Sequence, residues 1–160
     1  RPVIQRSFMD GIGTNVILVG YPEGIHLAFN GTTGSPAMLW KGRFYDAYRT
    51  WFSRYPEFEI PLGDEIMRWP QEKVNTAISY QGYRLDPTGI PEFLLKSDGV
   101  DLLERYEPVT TINNEPGIQR TIRYASLAQR NTLEPTHPHE VTVTEVEKPD
   151  NLTRSFIYQW

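Results

Sequence analysis

Residues 16–30, with the sequence VILVGYPEGIHLAFN, contain the clearest structural pattern in the chain. Residues 16–19 are apolar at every position, which is typical of a strand covered on both faces. Residues 20–24 have turn chemistry, and residues 25–30 then alternate apolar with less apolar side chains. Alternation of this kind predicts a strand buried on one face only. The stretch therefore predicts two antiparallel strands joined by a tight turn.

Similar patterns continue on both sides of this stretch. A second turn at residues 30–34 returns the chain into a third strand at residues 37–40. A clearer hairpin flanks Asp98-Gly99, a strong signal for a two-residue turn. The arms of this hairpin are residues 91–95 and 100–103. Further strands are predicted at residues 78–85, 118–124, 141–146 and 152–158. About ten strands with frequent turns predict an all-β, antiparallel β-sandwich, with a barrel-like fold as the alternative.

One segment departs from the two-residue period. Phe44, Tyr48, Trp51 and Phe52 follow a helical spacing within residues 43–54, which predicts a short helix or a wrapped loop. Proline-rich residues 56–70 predict a long irregular connection. We expect one domain over residues 1–160, with one short helix and long loops.

Composition excludes several classes of function. The 160-residue chain has no cysteine, so it has no thiolate zinc site, iron–sulfur ligand, catalytic thiol or covalently attached haem. Its net charge is −4 and its basic residues are dispersed, which argues against nucleic-acid binding. No run approaches the roughly 18 apolar residues of a membrane span, so we expect no transmembrane segment. The start at Arg1, without a signal-peptide pattern, suggests a mature product or a piece of a longer protein.

No motif predicts catalysis. The glycines at residues 11 and 13 lack the third glycine of a dinucleotide-binding loop, and no serine lies in a G-x-S-x-G elbow. Neighbouring acids, Glu57 with Glu59 and Asp64 with Glu65, are interpreted as solvated loop residues. We therefore expect no catalytic residue and no cofactor, and we lean against an enzyme.

His137, His139 and Glu145 are weak candidates for metal ligands. The H-x-H pair with a later carboxylate is similar to the metal motif of cupin barrels, which needs another ligand from a distant strand. His26 is the remaining imidazole of the chain. Because prolines surround the H-x-H pair, a loop position with a structural or surface role is the favoured interpretation.

The aromatic residues offer a second kind of site. Alternation places Trp40 in phase with Met38 on an apolar face, and Trp51 falls in the helical stripe, so both are predicted to pack in the core. Trp69 is undecided between core and surface, and it is the candidate for ligand stacking. A carbohydrate-binding or carbohydrate-active β-sandwich is accordingly an alternative function.

Several blocks together resemble a known domain. They are residues 19–30, 39–47, 51–54, 61–63, 80–86, 89–93 and 156–160, of which G-Y-R-L-D at residues 82–86 with P-x-F at residues 91–93 is the most specific. The pattern resembles the domain that accompanies c-type cytochrome and β-propeller dehydrogenase modules in large exported proteins of planctomycete-, verrucomicrobia- and Bacteroidetes-like bacteria. That domain has no settled activity of its own.

The resemblance implies a periplasmic or extracellular location and protein partners in a redox assembly, a c-type cytochrome among them. Members usually continue into a C-x-x-C-H haem segment. This chain has no cysteine, so that segment is absent or lies on a separate subunit. The leading hypothesis is a non-catalytic structural or interaction module of such an assembly. The carbohydrate-related β-sandwich is second, and a cupin-like metal-dependent enzyme is third.

Five charged residues lie inside these otherwise apolar blocks. They either form a paired, partly buried network or line a polar groove. If the domain has a polar site, these are the first candidates: Arg43, Asp46, Arg54, Arg84 and Asp86.

Overall fold

A computed structural model describes residues 1–9, 12–46, 60–61, 64–70, 78–111 and 113–160. The strands and the helix of this part of the chain are β1 (Val3–Met9), β2 (Gly13–Gly20), β3 (Ile25–Asn30), β4 (Ser35–Lys41), β5 (Tyr45–Asp46), β6 (Ile60–Pro61), β7 (Asp64–Arg68), β8 (Ile78–Leu85), β9 (Pro91–Ser97), β10 (Val100–Thr110), β11 (Pro116–Tyr124), α1 (Leu127–Thr132), β12 (Thr142–Val146) and β13 (Thr153–Gln159). No helix within these ranges is long and apolar enough to cross a lipid bilayer.

The strands form two large antiparallel sheets that pack face to face. The first sheet has the order β1-β2-β3-β4-β7, and the second has the order β12-β13-β11-β10-β9-β8. The short strands β5 and β6 pair separately. Among the described strands none pairs from the first sheet to the second, so the sheets do not close into a barrel. The predicted all-β sandwich is confirmed, and the barrel-like alternative is not adopted.

The β9–β10 hairpin shows how local sequence fixes the strand register. Ser97 pairs with Val100, which leaves Asp98 and Gly99 as a two-residue loop. Both have positive φ angles, 50° and 77°. This is the conformation that matches the right-handed twist of the flanking strands, and Asp-Gly adopts it readily. The predicted hairpin is confirmed.

The apolar core lies between the inner faces of the two sheets. Phe29 of the first sheet stacks on Phe93 of the second, with ring centroids 4.2 Å apart and an interplanar angle of 4°. Tyr106 meets Phe93 edge to face at 5.9 Å. Buried Val19, Leu27, Ile118 and other aliphatic side chains surround these rings. The sandwich is therefore held by aromatic contacts that cross from sheet to sheet.

The outer face of the first sheet is buried as well. Val16, Leu18, Ala28, Met38 and Trp40 form a second apolar cluster there. The prediction that residues 16–19 are covered on both faces is confirmed, as is the core position of Trp40. The prediction that residues 25–30 are buried on one face only is wrong, because all six residues of β3 are buried.

Two other elements differ from the sequence predictions, and a third expected element falls mostly outside the described residues. Residues 64–68 form β7, although residues 56–70 were expected to be irregular. Helix α1 was not predicted, and Ser126 caps it by accepting a hydrogen bond from the Gln129 N–H. The helix or wrapped loop expected over residues 43–54 lies mostly outside the described residues, although Tyr45–Asp46 is extended in β5.

Replacing Gly117 with alanine is expected to destabilise the domain by about 1–3 kcal/mol, because the new methyl group overpacks the strand pair. A Cβ atom at Gly117 would lie 2.8 Å from the carbonyl oxygen of Tyr158 on the neighbouring strand. A backbone atom cannot rotate away as a side chain can. Urea denaturation measures the loss. Arg123→Ala on the same strand is the control, since Arg123 is exposed, and an equal loss in both variants would contradict the steric explanation.

Candidate functional site

The structure does not bring the metal-ligand candidates into one binding group. The Nδ1 atom of His137 lies 2.8 Å from the hydroxyl of Tyr158, and its ring packs edge to face on Phe156. Glu145 is held by the guanidinium of Arg154, whose Nη2 lies 2.5 Å from its carboxylate. His139 is exposed. The described part of the chain contains no group of three or more metal-ligating side chains, so the cupin-like arrangement is not formed there.

His26, the other imidazole considered, is also bound within the fold. Its Nδ1 atom accepts a hydrogen bond from the Tyr21 N–H at 3.2 Å. With Nδ1 accepting, the Nε2–H group donates to the Gly42 carbonyl at 2.6 Å. Burial lowers the pKa of His26, so the neutral tautomer that makes both bonds is favoured.

Trp69 lies in the core and not on a ligand-binding surface. Its side chain is 2% exposed, and its ring meets that of Tyr158 edge to face at 5.5 Å. The indole Nε1–H donates to the Thr136 carbonyl at 3.0 Å. Ligand stacking needs a ring face open to solvent, so the stacking role considered for Trp69 is wrong in this structure.

The charged candidates do not share a groove. Arg84 is exposed and lies 3.4 Å from Glu92, whereas Asp86 binds Arg105 at 2.8 Å. Arg43 is exposed beyond the end of β4 in the other sheet. Asp46 belongs to β5, but its side chain and all of Arg54 lie outside the described residues.

Asp86 organises the turn between β8 and β9. Its Oδ1 atom accepts hydrogen bonds from the Thr88 hydroxyl at 2.6 Å, the Thr88 N–H at 2.8 Å and the Ile90 N–H at 3.0 Å. Its Oδ2 atom accepts from Arg105. The hydrogen bond from Thr88, with those from Arg105 and Ile90, holds the pKa of Asp86 well below its usual range.

In the Asp86→Asn variant, the free energy of unfolding is expected to change less between neutral and acidic pH than it does in wild type. The lowered pKa of Asp86 means that the folded state favours the carboxylate more than the unfolded chain does. This stabilisation is present above the unfolded pKa of about 4 and is lost as pH falls toward the folded pKa. The difference in unfolding free energy between wild type and Asp86→Asn should therefore shrink between pH 7 and pH ~2.5. Urea titrations at both pH values measure it, and a constant difference would contradict the assignment.

A buried polar network lies between the sheets where the sequence suggested no site. Arg120 and Glu104 are 5% and 3% exposed, and the Arg120 Nε–H donates to the Glu104 carboxylate at 2.6 Å. The Nη1 group donates to the Thr136 carbonyl at 2.7 Å and to the Tyr158 hydroxyl at 3.2 Å. The ion pair therefore crosses from β10 to β11, and further hydrogen bonds fix its geometry.

Tyrosines extend this network toward the first sheet. The Tyr106 hydroxyl donates to Glu104 at 3.3 Å, and the Tyr21 hydroxyl donates to the Tyr106 carbonyl at 2.6 Å. Burial raises the pKa of Tyr106 and of Tyr158, which keeps both phenols protonated. Each of these groups has a partner inside the core, an arrangement that stabilises the fold and presents no reactive atom to solvent.

A further surface feature is a cleft at one open side of the sandwich, where β1 of the first sheet faces β8 of the second. Both are the last strands of their sheets. We call this the edge cleft. It encloses about 440 Å³ and is lined chiefly by Ile4, Gln5 and Arg6 from β1 and by Tyr80, Gln81 and Tyr83 from β8. Because Arg1 lies beside Gly89, the two strands run in opposite directions across it.

The second sheet extends beyond its cover at this edge. Tyr83 pairs with Phe93 and Leu85 pairs with Pro91, so both share the inner side of the sheet with core residues. Tyr83 is nevertheless 42% exposed and Leu85 is 49% exposed. Part of the inner face of the second sheet is therefore solvent-exposed apolar surface.

Arg6 brings a positive charge to the edge cleft. It pairs with Ile17, whose side chain belongs to the core between the sheets, so Arg6 also lies on the inner side of the first sheet. Its Nε–H donates to Asn15 at 3.1 Å, and no described carboxylate lies within ion-pair distance. Burial raises the pKa of Tyr80, and the charge of Arg6 partly offsets this, which indicates that the two groups are close.

No protein-family model, curated protein or solved structure matches the chain. The fold assignment therefore stands on the geometry described above. The resemblance to the cytochrome-associated domain remains a prediction from the sequence blocks.

Proposed function

We propose that this domain is a non-catalytic interaction module of a larger assembly, and that the partner binds at the edge cleft. The observation that carries the proposal is the exposure of Tyr83 and Leu85 on the inner side of the second sheet. Apolar surface of this kind is normally covered in a β-sandwich, and a partner supplies the missing cover.

The ionisable groups support a binding role over a catalytic one. Glu104 with Arg120, Asp86 with Arg105, and His26 each have structural partners in the fold. A general acid or base needs a perturbed group that can reach a substrate proton. These particular groups are held in structural hydrogen bonds and ion pairs, so none of them is available for such a step.

The extracytoplasmic redox setting is the second part of the proposal, and it rests on the resemblance alone. A periplasmic or extracellular location and a c-type cytochrome partner are what the sequence blocks imply. Within such an assembly the domain would dock against a haem-bearing module without attaching haem covalently itself, since it has no cysteine.

Capture from the native source tests the proposal. We expect an affinity-tagged chain to recover a specific partner protein, with haem detectable in the eluate if that partner is a c-type cytochrome. A protein of the same size carrying the same tag is the control. Recovery of the tagged chain as a lone monomer would contradict the interaction role.

Carbohydrate binding is the second candidate, and the composition of the edge cleft favours it. An exposed tyrosine ring beside the amides of Gln5 and Gln81 is a combination that can stack on and hydrogen-bond to a sugar. The burial of Trp40 and Trp69 means that neither of these rings can serve as a stacking surface. A glycan array without hits would eliminate the candidate.

A further inference from the structure

We propose that the edge cleft binds an extended, acidic polypeptide segment of a partner, which pairs with the edge of β1 that has no partner strand among the described residues. This inference rests on the proposed interaction function and names the chemistry of the partner. It is argued from the two sheet edges, from their charge and from the apolar surface between them.

β1 is the edge that is suited to strand addition. It pairs with β2 in unbroken register from Val3 to Ser7, so five residues, about 17 Å of strand, have an opposite edge outside the sheet. Alternate N–H and C=O groups on such an edge point away from the sheet and can pair with another chain. In β8 the register shifts between Tyr80 and Gly82, and Gly82 has a φ of 123°. A bulge of this kind disfavours pairing at β8.

The charge of the two strands selects an acidic partner. β1 and β8 contain Arg6 and Arg84 but no aspartate or glutamate, although the whole chain has a net charge of −4. Arg1 lies at the end of the cleft beside Gly89. Arg84 is paired with Glu92, whereas Arg6 has a hydrogen bond to a neutral amide. A carboxylate on an incoming strand would give Arg6 the charged partner that none of the described residues supplies.

The apolar surface favours a polypeptide over a free anion. Tyr83 and Leu85 are half-exposed on the inner side, where Arg6 also lies, whereas Val3 is 51% exposed on the outer side of β1, out of phase with Arg6. An extended segment added to β1 alternates its side chains between the inner and outer sides of the first sheet. A carboxylate on its inner side can meet Arg6, and an apolar group on its outer side can pack on Val3. A small anion would use the charge and leave the apolar residues exposed.

Fluorescence anisotropy with a labelled eight-residue peptide, alternating glutamate and valine, tests the inference. We expect saturable binding that weakens as salt is added, and no binding of the matching lysine–valine peptide. Methylation of every peptide nitrogen should weaken binding by about tenfold or more, since backbone pairing is lost. If the methylated and unmethylated peptides bind equally well, strand addition to β1 is overturned.

Arg6→Glu should weaken binding of the acidic peptide by at least about tenfold, because it places like charges together. Arg123→Glu makes the same charge change on an exposed residue of β11 and should leave binding unchanged. Arg6 is exposed, so the unfolding midpoint of the Arg6→Glu variant should match that of wild type. Equal peptide affinity in the two variants would overturn the role of Arg6.

Two further arms separate this inference from the proposed function. Polygalacturonate, a polyanion without peptide groups, should not displace the labelled acidic peptide from the domain. If it displaces that peptide at a lower concentration than the unlabelled peptide does, the assignment of a polypeptide ligand is overturned. Capture from the native source should fail for Arg6→Glu. If Arg6→Glu captures the same partner as wild type, the edge cleft is overturned as the site while the interaction function stands. If wild type captures nothing, the interaction function itself fails.

Discussion

Replacing Glu104 with leucine is expected to lower the free energy of unfolding by about 3–5 kcal/mol, the range seen when one partner of a buried ion pair is removed. The substitution leaves the Arg120 guanidinium buried and charged without its carboxylate. The Thr136 carbonyl and the Tyr158 hydroxyl still accept hydrogen bonds from Arg120, but neither bears a charge. Urea denaturation at neutral pH, followed by tryptophan fluorescence, measures the loss.

Two controls separate the unpaired charge from the loss of packing. The double variant Glu104→Leu with Arg120→Met replaces both charges by apolar groups and should recover most of the lost stability. Arg84→Met breaks the exposed pair with Glu92 and should cost less than about 1 kcal/mol. If the double variant is as unstable as Glu104→Leu alone, the explanation by an uncompensated buried charge is wrong.

The strands that sequence predicted best are those fixed by local turn chemistry. Asp98-Gly99 specifies its own hairpin, and the late strands at residues 118–124, 141–146 and 152–158 agree with β11, β12 and β13 to within two residues. In each case the turn and the alternation both lie within a short window. The physical information needed for the prediction is therefore local.

Burial of the outer face of the first sheet could not be predicted in the same way. His26 and Asn30 in β3 are polar, so alternation placed them on a solvated face. In the structure His26 bonds to Tyr21 and Gly42, and Asn30 accepts from the Thr32 N–H at 2.9 Å. Polar residues whose hydrogen bonds are satisfied can be buried. The Thr32 partner of Asn30 is local, whereas the Gly42 partner of His26 comes from beyond the next strand, so alternation alone does not reveal the burial of this face.

Helix α1 and the buried ion pair had sequence signals that were overlooked. Ser126 stands three residues before Gln129, the spacing of a capping box at a helix N-terminus. Glu104 lies in phase with Leu102 and Tyr106, and Arg120 lies in phase with Ile118 and Ile122. Charges on the apolar side of two strands predict a buried pair, provided that the strands are neighbours, as β10 and β11 are.

The edge cleft had no comparable local signal. Tyr83 and Leu85 are out of phase with Ile78 and Tyr80 in the sequence, and the register shift between Tyr80 and Gly82 brings them to the inner side. Their exposure arises because the first sheet ends at β1 before it covers them. The relative positions of two sheet edges depend on contacts between residues far apart in sequence. The five charged candidates follow from the sequence blocks, whereas the edge cleft follows from the relative positions of β1 and β8.

Phe93→Ala is expected to destabilise the domain by about 3–5 kcal/mol, the usual cost of removing a buried aromatic ring. Phe93 is fully buried, stacks on Phe29 of the opposite sheet and meets Tyr106 edge to face. The cavity left by alanine would lie at the contact between the sheets, where neither backbone can move inward without disturbing its own ladder. Thermal and urea unfolding, compared with wild type, measure the loss. Phe93→Leu keeps most of the volume and should cost less than Phe93→Ala.

Tyr83→Ala is the matched control for Phe93→Ala, because the two residues are paired on neighbouring strands and share the inner side of the second sheet. Tyr83 is half-exposed, so its removal should change stability by no more than about 1 kcal/mol. The same substitution should weaken binding of the acidic peptide, since Tyr83 lines the edge cleft. A large loss of stability in Tyr83→Ala would show that Tyr83 belongs to the core, and the apolar surface proposed to receive a partner would then be part of the interior.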